Sequence, residues 1–192
     1  MAKNSNYYLF RIELKRIKPK IWRRFYASGD TTMASFHEII KDVMGWFGGH
    51  LYQFMIFGNS FSSRDDALIG PTLDFDYEDE DAHKYTINSF KFVKNDTFTY
   101  TYDFGDDWQH LIKVLQLNYE PKQPIKHAGW GIVAGARKCP PEDIGGVYGY
   151  YSFLEALEAR KSGQPSSGDD DSFFEEILEY YDDDYDPEEF NF

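Results

Sequence analysis

Two short stretches concentrate the side chains able to do chemistry: Tyr100-Thr-Tyr-Asp-Phe-Gly-Asp-Asp-Trp-Gln-His110 and Cys139-Pro-Pro-Glu-Asp-Ile-Gly-Gly146. Asp103 and His110 flank a turn built on Gly105 and Asp106, so two paired strands would bring them together. An Asp–His pair holds one imidazole tautomer, which serves a general base or a metal ligand. The same pair can simply lock a hairpin, because buried polar groups usually satisfy one another. Within the turn, Gly105 is expected to supply positive φ and Asp to bond backbone amides. In the second stretch, Pro140 and Pro141 fix an extended backbone after Cys139. Gly145 and Gly146 then let a ligand approach the main chain beside Glu142 and Asp143. Arg137, just upstream, offers a bidentate fork for a carboxylate or phosphate.

Two further histidines extend this set. His37 shares a helical face with Met33, Ile40 and Met44, the usual setting of a core histidine. His50 follows Gly48-Gly49 at the start of a strand, where a side chain projects into a cleft. The candidate cleft is therefore His37, His50, Asp103, Asp106, His110, Arg137, Cys139, Glu142 and Asp143, groups whose pKa values would shift one another. Such donors suit Zn²⁺ or Fe²⁺. No Cys-x-x-Cys, His-x-x-x-His or His-x-Asp spacing is present, however, so the sequence assigns no metal. A Cys–His nucleophile pair would need a lowered thiol pKa, which sequence does not display. Walker, Gly-x-Gly-x-x-Gly, Gly-x-Ser-x-Gly and EF-hand loops are absent.

The elements that must position these groups follow from periodicity. Tyr8, Phe10, Ile12 and Leu14 alternate with polar neighbours as a half-buried strand, and Lys18-Pro19-Lys20 separates it from a second strand over residues 21–26. Met33, Phe36, Ile40, Val43, Met44 and Phe47 recur at helical spacing, with Thr32 as N-cap and Gly45 or Gly48-Gly49 as terminator. Residues 51–57 form a third strand. Residues 58–83 turn irregular and acidic, and residues 85–87 suggest a short strand. Residues 96–102 and 108–117 alternate as the clearest hairpin of the chain. Residues 118–150 are rich in Pro and Gly, a long connection of the kind that carries function. Ser152-x-x-Glu155 and Ser172-x-x-Glu175 announce two helices, the first ending near Gly163.

A chain of 192 residues, 42% of them hydrophobic, suffices for one domain with a real core. No apolar run approaches the ~20 residues that span a bilayer, the N-terminal residues lack a signal peptide's apolar core, and one cysteine excludes an internal disulfide framework. A cytoplasmic protein without membrane partners is expected. The net charge of −13 is localised: residues 169–192 carry twelve acids and no Lys or Arg, leaving the rest near neutral. Residues 1–26 carry eight Lys or Arg against Glu13 alone, interleaved with Trp22, Phe25 and Tyr26. Such a stretch can meet phosphates and bases. The simpler expectation is cations facing water on two strands, so nucleic acid is not an expected partner of the intact chain.

The residues Ile21-Trp-Arg-Arg24, His37, Gly45-Trp46, His50-Leu-Tyr52, Tyr102-Asp-Phe-Gly-Asp-x-Trp-x-His110 and Cys139-Pro-Pro-Glu-Asp-x-Gly-Gly146 occur in an ordered series. In them the chain resembles the Ri-plasmid open-reading-frame-three-like family, also labelled an insertion-element passenger or TnpR-like family. The resemblance runs from about Tyr7 to Leu157 and leaves the acidic tail outside its motifs. It implies association with mobile elements and prokaryotic chromosomes, and it brings no assigned reaction. The TnpR label suggests a resolvase, but Ser5 lacks the arginine setting of a serine recombinase, and no Tyr is singled out among fifteen.

The element order argues for an α+β fold, a mainly antiparallel sheet with helices packed on one side. Residues 1–168 would form this single domain and residues 169–192 a C-terminal helix and acidic tail, the last part adding little to the fold. The expected function is a binding or interaction module whose polar cleft takes a small acidic ligand or a partner peptide segment. A metal-assisted hydrolase using the same cleft and a nucleic-acid accessory protein are the alternatives.

Overall fold

The structure is a computed structural model that describes residues 6–62, 80–122, 129–163 and 185–190, together with Ile177. Eight strands form one sheet: β1 (Tyr7–Leu14), β2 (Trp22–Ser28), β3 (Tyr52–Ile56), β4 (Asn59–Ser62), β5 (Glu80–Asp81), β6 (Thr97–Tyr102), β7 (Trp108–Gln116) and β8 (Trp130–Ala136). Their order is β5-β4-β3-β6-β7-β1-β2-β8, and every pair is antiparallel except β4–β5. Among the described residues two α-helices with both ends defined complete it, α1 (Met33–Met44) and α2 (Gly146–Ser162). The fold is the expected α+β domain. Among the described residues, no helix is long and apolar enough to cross a membrane.

Period-two alternation puts Phe10 and Ile12 of β1, Phe98 and Tyr100 of β6, and Ile112 and Val114 of β7 in the interior. Helix α1 supplies the facing layer through Met33, Phe36, Ile40 and Val43. Its ends are as read from sequence. The Thr32 hydroxyl accepts from the Ser35 amide at 3.1 Å, and Gly45 closes the helix at φ 94°. Phe36 lies within 6.5 Å of the Phe10, Phe25, Phe54 and Phe98 rings, so helix and sheet meet largely through aromatic contacts.

The long connection after residue 117 contains β8, which was not expected from a segment reading Trp-Gly-Ile-Val-Ala-Gly-Ala. Its glycines weaken the strand signal. They are needed because a Cβ at Gly131 would strike the Tyr26 ring, and one at Gly135 the Phe190 ring. Helix α2 starts six residues before Ser152, after Gly145 in the left-handed region, and ends as expected at Gly163. Gly146 and Gly149 occupy its first turn because side chains there would meet the backbone of Asp106 and Ile144. Close approach, rather than a side-chain cap, sets where this helix begins. Residues 85–87 lie in and between two 3-10 turns, with only an isolated bridge from Thr86 to Thr32.

The expectation of a marginal C-terminal segment does not hold. Tyr185 is buried and its hydroxyl donates to the Cys139 carbonyl at 2.8 Å. The Lys138 amide donates to the Pro187 carbonyl, Arg137 pairs with Glu188, and the Phe190 ring lies 4.1 Å from the Arg23 guanidinium. The acidic connection over residues 63–79 and the helix signalled by Ser172-x-x-Glu175, Ile177 apart, fall outside the described residues.

Candidate functional site

The β6–β7 hairpin forms in the expected register, Tyr102 opposite Trp108 and Tyr100 opposite His110. Its turn differs from the expectation. Asp103 (φ 55°) and Asp107 (φ 51°) carry the left-handed conformation, and Gly105 does not. Asp103 is suited to this because its carboxylate caps the turn: Oδ1 accepts from the Gly105 amide at 2.9 Å and from the Asp106 amide at 3.4 Å. Its second oxygen stays available and lies 3.5 Å from His50 Nδ1.

His50 follows Gly48 (φ 96°) and Gly49 (φ 104°), conformations that let the chain turn sharply between α1 and β3. Its other nitrogen, Nε2, lies 3.5 Å from the Asp143 carboxylate. One ligand atom from each of His50, Asp103 and Asp143 lies within 4.8 Å of the other two. Three separate segments thus deliver one imidazole and two carboxylates to one place. The His50 side chain is 26% exposed and that of Asp143 74%, so the cluster opens to solvent.

A clamp behind this cluster joins all three of those segments. The Glu142 carboxylate accepts from the Phe47 amide at 2.7 Å, the Gly48 amide at 3.2 Å and the Tyr102 hydroxyl at 2.5 Å. Trp46 stacks on Tyr102, with centroids 4.8 Å apart, while its indole N–H donates to the Pro140 carbonyl at 3.0 Å. Burial, and then the hydrogen bond to the Glu142 carboxylate, hold the Tyr102 hydroxyl well above its ordinary pKa, so it remains a donor. Asp106 lies beside the cluster. Burial raises its carboxyl, the Gly146 amide lowers it, and the Asp103 charge raises it again. Its Oδ2 is buried with no hydrogen-bond partner among the described residues.

The remaining candidates lie elsewhere. His110 is fully buried, with Nδ1 3.3 Å from the Tyr100 carbonyl, and burial pushes its pKa down to about 3. It meets Tyr100 and Trp46, not Asp103, because strand alternation turns it inward with Trp108 and Ile112. Asp103, one residue past β6, has left that alternation and meets His50 instead. His37 stacks on Tyr52 at 3.7 Å, with Nδ1 2.7 Å from the Tyr100 hydroxyl, and burial pulls its pKa down to about 4. Burial pushes the Cys139 thiol up to about 12, which removes it as a nucleophile near neutral pH. Arg137 holds Glu188. The nine candidates therefore divide: His50, Asp103, Asp106 and Asp143 converge with Glu142 behind them, while His37, His110, Cys139 and Arg137 serve other parts of the fold. Sequence reasoning missed Trp46 and Tyr102 as site-builders, although both fall within the motifs of the resemblance.

The fold is that of an α+β protein with a histidine–carboxylate cluster mounted where a hairpin turn, a glycine loop and a proline–glycine segment meet. The chain belongs to the plasmid pRiA4b ORF-3-like protein family, whose model matches residues 6–192. The match reaches past Leu157 and includes the acidic tail that the motifs left out. The chain is 31% identical over 150 residues to the uncharacterized protein y4hQ of Sinorhizobium fredii (strain NBRC 101917 / NGR234), covering 77% of this chain and 71% of that one. It is also similar to the crystal structure of a protein of unknown function, MM3350 from Methanosarcina mazei Go1. That similarity has a TM-score of 0.71 and 29% identity, and covers 96% of this chain and 94% of the other.

Proposed function

We propose that the protein is a binding module that takes a divalent cation at His50, Asp103 and Asp143 and holds its ligand through that cation. The observation that supports this is the approach of three donor atoms from three segments to within 4.8 Å. Donors 2.1 Å from one tetrahedral ion lie about 3.4 Å apart; one ion takes a single His50 nitrogen, 3.5 Å from one carboxylate, and draws in the other carboxylate from within 4.8 Å. One imidazole and two carboxylates suit Zn²⁺, Mn²⁺ or Fe²⁺. Three protein donors leave coordination open, as in sites that act on a ligand rather than purely structural ones. The cation also resolves a difficulty with an acidic ligand, since Asp103, Asp106 and Asp143 alone would repel it.

Asp106 favours a second reading, metal-assisted hydrolysis. A partly buried carboxyl with a raised pKa and an unpartnered oxygen beside a cation has the makings of a proton acceptor for bound water. The first test is a metal inventory of the full chain purified without chelator. About one equivalent of a transition metal per chain, removed by chelator and restored on adding that metal, supports the site. Metal-dependent hydrolysis of an activated ester or phosphate that Asp106→Asn abolishes, with metal content unchanged, would favour the enzyme over the binding module.

A further inference from the structure

A cavity of about 380 Å³ opens beside Gly45 and Phe47, and none of His50, Asp103 and Asp143 lines it. Its walls come from the C-terminal end of α1 (Val43, Met44), from β2 and β8 (Arg23, Ile132), and from Cys139 and Pro140. The C-terminal segment contributes Tyr185, Glu189 and Phe190 to the lining. The volume is within the roughly 300–1,000 Å³ of small-molecule sites, and larger than an inorganic anion needs.

Arg23 is the informative wall residue. It is 2% exposed, yet no carboxylate among the described residues pairs with it. Its Nε donates to the Val43 carbonyl at 3.2 Å, and its Nη1 to the carbonyls of Trp22 and Ala136 at 3.0 Å each. The Phe190 ring covers the guanidinium. These carbonyls and the end of α1 supply dipoles but no net charge. A buried guanidinium without an anion is costly, and arginine is rarely buried unless paired. Lys138 adds a second cation to the same wall, while Asp42 and Glu189 also line the space. Most of the remaining lining is apolar.

We propose that this cavity binds a small organic carboxylate, its oxyanion held by Arg23 and its apolar body lying against Val43, Met44 and Ile132. The site shares no residue with His50, Asp103 and Asp143, although Phe47 and Pro140 of its lining also take part in the clamp behind them.

The test is calorimetric titration of the full chain with hexanoate, benzoate and cinnamate, and with inorganic phosphate as the apolar-free control, each with and without chelator. At least one carboxylate should bind saturably whether or not chelator is present. Arg23→Met should weaken it by about tenfold or more. Ile132→Trp, a substitution on the edge strand that fills the space without touching the charge, should abolish it while circular dichroism shows the fold kept. If Arg23→Met fails to fold, Ile132→Trp carries the test alone. Saturable binding of no carboxylate, binding of phosphate alone, or carboxylate binding unchanged in Ile132→Trp would overturn the proposal.

Discussion

The Tyr102 hydroxyl donates to the Glu142 carboxylate at 2.5 Å, joining the end of β6 to the segment that carries Asp143. Two amides of the loop leading to His50 donate to the same carboxylate. Glu142 therefore ties together all three segments that supply the cluster, without contributing a donor to it.

Removing that hydroxyl should loosen the site more than the fold. Tyr102→Phe is expected to cost about 1.5–3 kcal/mol in urea unfolding, the usual range for a hydrogen bond to a charged group. It should also weaken divalent-cation binding by roughly tenfold or more, as loss of a supporting contact does. A variant with native stability and native cation affinity would show that the clamp is incidental.

Two buried histidines set the acid side of the stability profile. His110 and His37 are held at about 3 and about 4, below the ordinary ~6.5. Both stay neutral in the folded chain while the unfolded chain takes up protons, so stability falls as pH drops below about 6.5. At pH 5 each should have withdrawn on the order of 2 kcal/mol. Urea unfolding between pH 7 and 5 checks this, and His37→Gln should flatten the slope by about half.

The C-terminal segment should matter to stability. Tyr185→Ala removes a buried ring and its hydrogen bond to the Cys139 carbonyl, and is expected to cost about 3 kcal/mol. A melting temperature unchanged by this substitution would mean that the segment does not pack on the body in solution.

Binding to duplex DNA should be weak at ~0.15 M salt, because the basic N-terminal strands are already engaged. Arg23 is buried, Arg11 lies 4.0 Å over Trp22 and bonds Glu13 at 2.6 Å, and Arg16 bonds Asp107 at 2.7 Å. Retention of the intact chain on DNA at that salt would reopen the nucleic-acid reading.

What could be read in advance was local. The caps of α1 at Thr32 and Gly45, and the β6–β7 register, follow from side-chain types a few residues apart. Strand β8 and the start of α2 could not be read so, because Gly135, Gly131 and Gly146 answer to Phe190, Tyr26 and Asp106, which are distant in sequence. The site shows the same division. Asp103 was legible as one half of an Asp–His pair beside the hairpin turn. Its partner was not, since which of His37, His50 and His110 meets it depends on which way β7 alternates and where the Gly48-Gly49 loop returns. Arg137 and Cys139 had suitable chemistry but were claimed by the C-terminal segment and the interior.

The most direct test of the central claim is titration of the chelator-stripped full chain with Zn²⁺ and Mn²⁺, beside His50→Ala and Asp103→Asn. The expected result is one cation per native chain, with affinity lower by about a hundredfold or more in both variants and their folds intact by circular dichroism. A native chain that takes up neither ion, or variants that bind as tightly as the native chain, would contradict a metal site at His50, Asp103 and Asp143.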